Sequence, residues 1–356
     1  MPRRPFNAPI LAAGFSLVEL MVAITLSLLL LSGVVAIFSS SRVSYETTHQ
    51  LSRIQETGRF ALEQLSRHIR SAGFAGCARQ PNFVSTALSN GTTLQWDFMG
   101  GPVLGFEASD SGFTPALDAS GVADDAIPGS DVLVVRGPRL DAEPTTVTAA
   151  MVDPQDPLVV ASTSGIRPEG EVVMAYNCEA QSFFFATPSG NSLVHGVGGR
   201  DPGPANDAAT TSYPFRVGDE VVPVETVVYY VAPSPEAIAN PPTLPVDTNS
   251  LWRRAGLQPA EELVQGVEQM QVEYGLDSNG DRVVDDYAVA TATTDWQQVI
   301  AVRVALLVRS LDAYGTDTDQ RSYQLLNAPV VNPPGDRRLR EVFSATISIR
   351  NRVRVD

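Results

Sequence analysis

Three groups of residues have the types and spacing to do chemistry. The first is Glu19, the single ionisable residue in the apolar run from Phe15 to Phe38. A charged group near the centre of a membrane-spanning stretch costs roughly 2.5–3.5 kcal/mol, so a carboxylate there needs a cationic partner. The second is an acidic loop. Asp277, Asn279, Asp281 and Asp285 have the D-x-N-x-D-x-x-x-D spacing of calcium loops. With the main-chain carbonyl of Val283 they could supply several of the hard oxygens that Ca²⁺ requires. Arg282 stands where an EF-hand has its turn glycine, and Ala288 where it has its bidentate glutamate. The competing reading is an Asn279-Gly280 hairpin turn bordered by solvated acids. The third group is Cys77 and Cys178, the only two cysteines, both beyond the apolar run. An even pair in a chain that passes a membrane reads as a disulfide in an oxidising compartment. Two unrelated buried thiols are the alternative.

Nothing in the chain points to catalysis. His49, His68 and His195 are scattered, and His68 reads as a helix-surface residue. There is no H-E-x-x-H, no G-x-S-x-G, no P-loop and no G-x-G-x-x-G after a strand. The cysteines are not in a C-x-x-C arrangement. The expectation is a non-enzyme with no required cofactor, Ca²⁺ being the one ion suggested. A net charge of −15 argues against a nucleic-acid surface, which would carry basic patches. All 25 cationic residues are arginine, which reads as compositional bias.

These groups need elements to carry them. A bilayer core about 30 Å thick takes roughly 20 helical residues, and the run after Gly14 is long enough. Arg3 and Arg4 before it favour a cytoplasmic N-terminus, so the bulk of the chain is expected to be exported. The small residues Ala12, Ala13 and Gly14 precede the run, so any cleavage would remove a leader and leave the apolar segment. After Pro9 the next proline is Pro81, although the chain has 26 prolines. Because an interior proline costs a helix about 3 kcal/mol, that gap predicts one long helix. Beyond Phe38 the pattern turns amphipathic. Val43, Leu51, Ile54, Phe60, Ala61, Leu62, Leu65 and Ile69 are expected on a buried face, with Arg53, Glu56, Arg59, Glu63, Arg67 and Arg70 opposite. Gly73 and Gly76 supply the stop. A helix from Phe15 to Ser71 would be roughly 85 Å long.

From about residue 77 the chain reads as short strands between Gly/Pro/Asp/Asn loops. Strands are expected at Thr92–Phe98, Asp131–Arg136, Leu158–Ala161, Glu171–Tyr176, Gln181–Ala186, Val221–Val231, Val299–Arg309 and Glu341–Val355. Surface loops are expected at 105–130, 195–215 and 232–250. In the last strand Arg350, Arg352 and Arg354 would share one solvated face that discourages edge pairing. The expected organisation is a leader at 1–14, a spanning segment at 15–38, its amphipathic continuation at 39–75 and a β-rich domain at 76–356.

G-F-S-L-V-E-L at residues 14–20, behind a basic leader and before an unbroken apolar helix, resembles the type IV prepilin signature. R-H-I-R-S-A-G-F-A-G-C-A at 67–78 resembles the PilW family of minor pilins, as does E-L-V-Q-G-V-E-Q-M-Q-V-E-Y-G at 262–275. The resemblance implies cleavage by prepilin peptidase between Gly14 and Phe15, and N-methylation of Phe15. It also supplies a partner for Glu19: the Phe15 amine of the same or a neighbouring subunit. Paired in a low dielectric, the two charges offset much of each other's desolvation cost. The implied fold is α+β and pilin-like, a long N-terminal helix packed on a large antiparallel β-rich domain. The implied role is to initiate type IV pilus assembly in a priming or tip complex, supporting motility and adhesion. The implied partners are other minor pilins, the major pilin and a PilY-type tip adhesin. Such a protein passes once through the inner membrane, with its C-terminal domain periplasmic, before joining the pilus. A J-type pseudopilin of type II secretion, or an anchored periplasmic binding module outside any filament, are the alternatives.

Overall fold

The computed structural model describes residues 16–77, 82–89, 94–117, 123, 125–200, 203–208, 211–239, 244–245, 247–313 and 317–352. The class is α+β, as expected: a long N-terminal helix and a large, mostly antiparallel β region. The helix runs Leu17–Ser71 without interruption. The chain forms two compact units, divided between Leu51 and Ser52.

In the first unit the helix is bare. Every large apolar side chain from Leu17 to Phe38 is at least half exposed, from 50% at Ile24 to 74% at Leu17. Its most apolar 18-residue window has a mean hydropathy of 2.6, enough by length and composition to cross a membrane. A helix that is apolar on all sides belongs in an apolar medium or in the core of an assembly.

In the second unit the rest of the helix is a core element. Ile54, Gly58, Ala61, Leu65 and Ile69 are buried, at intervals of four, three, four and four, which keeps them on one face. Phe60, expected on this face, is 43% exposed, and Val43 and Leu51 are also exposed. Phe60 lies a full 100° round the helix from Ala61, off the buried stripe. The helix stops at Gly73, whose positive φ of 59° needs no Cβ to accommodate it. Two of its last carbonyls accept hydrogen bonds from the far end of the chain: Arg350 N donates to Arg70 O, and Asn351 Nδ2 to Ala72 O.

The larger sheet is built around a 14-residue strand, Glu220–Pro233, buried at all but its two ends. Its first residues pair antiparallel with Glu171–Tyr176, with Pro223 opposite Val173. Its remainder pairs with Val132–Pro138 on one side and Asn249–Ala255 on the other; Val227 faces Val135 and Ala255. The strand Ala180–Ser189 extends the sheet beyond Glu171–Tyr176. A second, four-stranded sheet has the order Asp286–Ala288, Val267–Leu276, Val299–Arg309, Arg340–Ser348, all antiparallel. One core joins the helix stripe to Leu133, Val135 and Tyr229 of the large sheet and to Val302, Val304 and Leu306 of the small one.

The Glu171–Tyr176 and Val299–Arg309 strands keep their expected bounds. Other expectations need correction. Leu94–Trp96 form a turn where a Thr92–Phe98 strand was expected; Thr92 and Thr93 lie outside the described residues. The expected loop 105–130 holds a hairpin, Val103–Ser109 with Gly112–Thr114. The 232–250 loop ends inside the Asn249–Ala255 strand, which pairs with Glu261–Gln265. The expected strand Leu158–Ala161 shortens to Leu158–Val159. The final strand ends at Ser348, because the chain then turns to meet the helix end. Arg350 and Arg352 are therefore not on a strand face, and Arg354 lies outside the described residues.

A Cβ built on Gly58 would collide with the ring of Phe343. Alanine is intrinsically better in a helix than glycine by about 1 kcal/mol, but overpacking a core typically costs 1–3 kcal/mol. Gly58→Ala should therefore lower the midpoint of chemical denaturation. Adding Phe343→Leu should restore part of the loss. A stabilised Gly58→Ala variant would show that the helix does not sit this close.

Candidate functional site

Glu19 sits in the first turn of the helix, where its backbone N–H has no carbonyl of a preceding turn to donate to. Ser16 and Glu19 satisfy each other. Ser16 N donates to Glu19 Oε2 at 2.9 Å, and Glu19 N donates to Ser16 Oγ at 3.2 Å. This is a reciprocal capping box, and its S-x-x-E signature is readable in the sequence. The apolar run drew attention to the missing counter-charge and away from this local use of the carboxylate. Gly14 and Phe15, the two residues on which processing is expected, lie outside the described residues.

Cys77 and Cys178 are joined in a disulfide, with Cα atoms 5.0 Å apart and a sequence separation of 101. The bond ties the chain just past the helix to the end of the Glu171–Tyr176 strand. In the chain-entropy treatment, closing a loop of this size contributes about 4–5 kcal/mol. Beside it Phe74 packs edge-on against Tyr176 at 5.3 Å.

The acidic loop connects two paired strands, with Leu276 opposite Asp286. Its oxygens are turned onto its own donors. Asp277 accepts from Gly280 N at 2.7 Å and Arg282 N at 2.9 Å. Asn279 accepts from Asp281 N, and Asp281 from Val283 N, both at 2.8 Å. Asp285 accepts from Ser278 N and Oγ and from Asn279 Nδ2. Among the described residues no group of three or more His, Cys, Asp or Glu side chains is gathered as metal ligands. Met270, Val272 and Tyr274, which lead into the loop, are all buried.

His68 is not on the surface. It is 6% exposed, and its Nδ1 lies 2.6 Å from the Tyr229 hydroxyl and 3.2 Å from Gln64 O. Burial pushes its pKa down to about 4, and the Arg253 and Arg67 charges push the same way. The reading failed because a helix-surface assignment needs the radial direction of each residue, and His68 lies beside the Leu65–Ile69 stripe. Two buried charge groups were also invisible in the sequence. Arg340 bonds Glu268 and Asp336 and reaches Asp319, while Arg309 bonds Asp247 and Glu268. They lock the outer end of the small sheet. The second group is acidic: Asp131 and Glu107 lie near Glu273, and among the described residues the cation paired with the group is Arg303, 3.6 Å from Glu273. Asp131 accepts from Ala108 N and Val272 N, both at 2.8 Å, and so stitches the two sheets. Burial first, and Glu107 second, push Asp131 up to about 7. Glu107 is pushed up to about 7 as well, by burial and by Glu273. Its Oε2 is buried without a hydrogen-bond partner.

Residues 228–351 match the family model PilW, Type IV Pilus-assembly protein W. The matched stretch takes in the end of the long central strand and the whole small sheet with its acidic loop. No curated protein and no solved structure matches the chain.

The buried acids set a pH dependence. A carboxyl whose folded pKa is raised stabilises the fold below its unfolded pKa, and that contribution is lost as pH rises through the folded value. Glu107 should therefore weaken the fold between about pH 5 and pH 8. His68 acts oppositely, its contribution being lost as pH falls from its ordinary value toward about 4. Comparing melting temperatures of the native chain and Glu107→Gln across this range removes the His68 part. The variant should lose less stability on going to pH 8. Parallel curves would refute the charge effect.

Proposed function

We propose that this chain is a minor pilin that takes part in the initiation of type IV pilus assembly. The carrying observation is that one chain joins a PilW-like segment at 228–351 to a bare apolar helix at Leu17–Phe38. A pilus-assembly family and a helix in need of an apolar environment meet in one role: a subunit stored in a membrane and then packed into a filament. The organisation proposed is a leader at 1–14, a spanning helix at 15–38, its continuation at 39–75 and an exported β domain beyond.

The proposed mechanism is non-covalent after one cut. Prepilin peptidase would cleave between Gly14 and Phe15, and methylation would follow on the Phe15 nitrogen. The new amine would pair with Glu19, in the same subunit or the next, and set the axial register of helices packed in the filament. The local geometry supports this. The Glu19 carboxylate already reaches back to the backbone N–H of residue 16, one residue from the proposed amine. An ammonium and a carboxylate shielded from water attract more strongly than they do in solvent. The β domain would make lateral contacts with other minor pilins and the major pilin, and a tip position would place it beside a PilY-type adhesin. The proposed residence before assembly is the inner membrane, with the β domain on the periplasmic side.

Sheared pili analysed by mass spectrometry should contain this chain beginning at methylated Phe15. Glu19→Ala should abolish its incorporation while leaving membrane insertion intact. A chain that still begins at Met1, or a Glu19→Ala variant that incorporates normally, would sink this reading and leave the helix as a plain anchor.

A further inference from the structure

A cavity of about 550 Å³ opens in the β-rich unit, within the size range of roughly 300–1,000 Å³ typical of ligand sites. Its walls are of two kinds. Phe74, Phe98 and Phe183 supply aromatic surface, and Phe98 and Phe183 stack with centroids 5.3 Å apart. Arg136, Arg282 and Arg352 supply positive charge. The acid on the wall, Asp277, already has both oxygens engaged by backbone N–H groups.

The chain carries a net charge of −15, and Arg139, Arg167, Arg303, Arg309, Arg338 and Arg340 all have a carboxylate within 4 Å. Among the described residues none of the three cavity arginines has one. Arg136 is the extreme case, at 3% exposed. Its Nη1 and Nη2 donate to Gly101 O and Leu94 O, and its Nε is buried without a partner. The Asp97 charge acts on Arg136 from beyond salt-bridge distance, which leaves part of the desolvation cost of a buried cation for an incoming anion to offset. The bonds to Gly101 O and Leu94 O use two of the five guanidinium N–H groups of Arg136, and the residue lines the cavity. Side-chain amides complete the wall: Gln181, Gln298 and Asn351 can serve the N–H and C=O groups of an extended backbone. Aromatic surface, cationic wall and amides together match one kind of occupant.

We propose that this cavity is the docking site for an extended peptide segment of a partner protein, with an acidic side chain set against Arg136 and Arg352 and flanking apolar side chains against Phe98 and Phe183. The segment enters as a short recognition element and anchors through its carboxylate, as Arg-lined peptide grooves do in general. No residue of the apolar helix takes part, so the site stands or falls independently of filament assembly.

The test uses the full chain in detergent micelles, immobilised and exposed to two capped pentapeptide libraries. In one the central residue is Asp or Glu between apolar residues; in the other it is Asn or Gln. Bound peptides are read by mass spectrometry. The acid-centred library should be retained about tenfold better, the size of one charge-assisted contact. Arg352→Gln should remove most of that preference. Met99→Trp, which fills the mouth from an exposed position on the wall, should abolish retention of both libraries. Because neither variant touches buried Arg136, misfolding does not confuse the result; thermal melts confirm both are folded. Retention of neither library, equal retention of both, or retention unchanged by either variant would overturn the proposal.

Discussion

The β-rich unit depends on one close approach, that of the helix to the strand lying across it. Gly58 has no side chain to hold Phe343 away, and Ala61 adds only a methyl one turn on. With the axis brought in at these two positions, Ile54, Leu65 and Ile69 reach past the strand surface into the interior. There they meet residues from both sheets, so one core is shared by three layers. The same geometry buries His68 against Tyr229, and that burial favours the neutral imidazole. It also brings the helix end within reach of Arg350 and Asn351, which take up carbonyls that a helix terminus leaves free.

How much of this was legible follows from how far each signal reaches along the chain. The long helix was plain because the evidence is local and repeated: no proline for some seventy residues, and a hydrophobic period that changes character at Phe38. Val299–Arg309 and Glu171–Tyr176 were plain because they are predominantly apolar stretches containing valines. The Val103–Thr114 hairpin was missed because its glycines and acids look like loop. The strands at 249–265 were missed because arginines and glutamates occupy their open faces. Phe60 and His68 were misplaced for a single reason. Periodicity tells which residues share a face, but only the partner decides how wide that face is.

The candidate functional residues divide along the same line. Glu19 and the Cys77–Cys178 pair announce themselves by type alone, one by being charged in an apolar run, the other by being the only thiols. The Ser16–Glu19 capping box was readable too, since its four-residue motif is contiguous. The arginine-lined cavity was not readable at all. Its walls come from the helix exit, the Val132–Pro138 strand, the Ala180–Ser189 strand and the last residues described, segments brought together only by folding. Buried Asp131 belongs with it: the sequence places it at the start of a strand, but not beside the second sheet that donates Val272 N to it.

The strand Glu220–Pro233 has a thermodynamic consequence of its own. Its early residues, such as Val221, lie in a core with Phe184 and Phe215, while Val227, Tyr229 and Val231 lie in the core that holds the helix. Neither core can open without stripping the other of a common wall. A wall shared in this way favours a single cooperative unit, in which amides along that strand are expected to exchange through global unfolding. A perturbation at one end of the β region is felt at the other as a change in the free energy of the whole, with no moving part required to carry it.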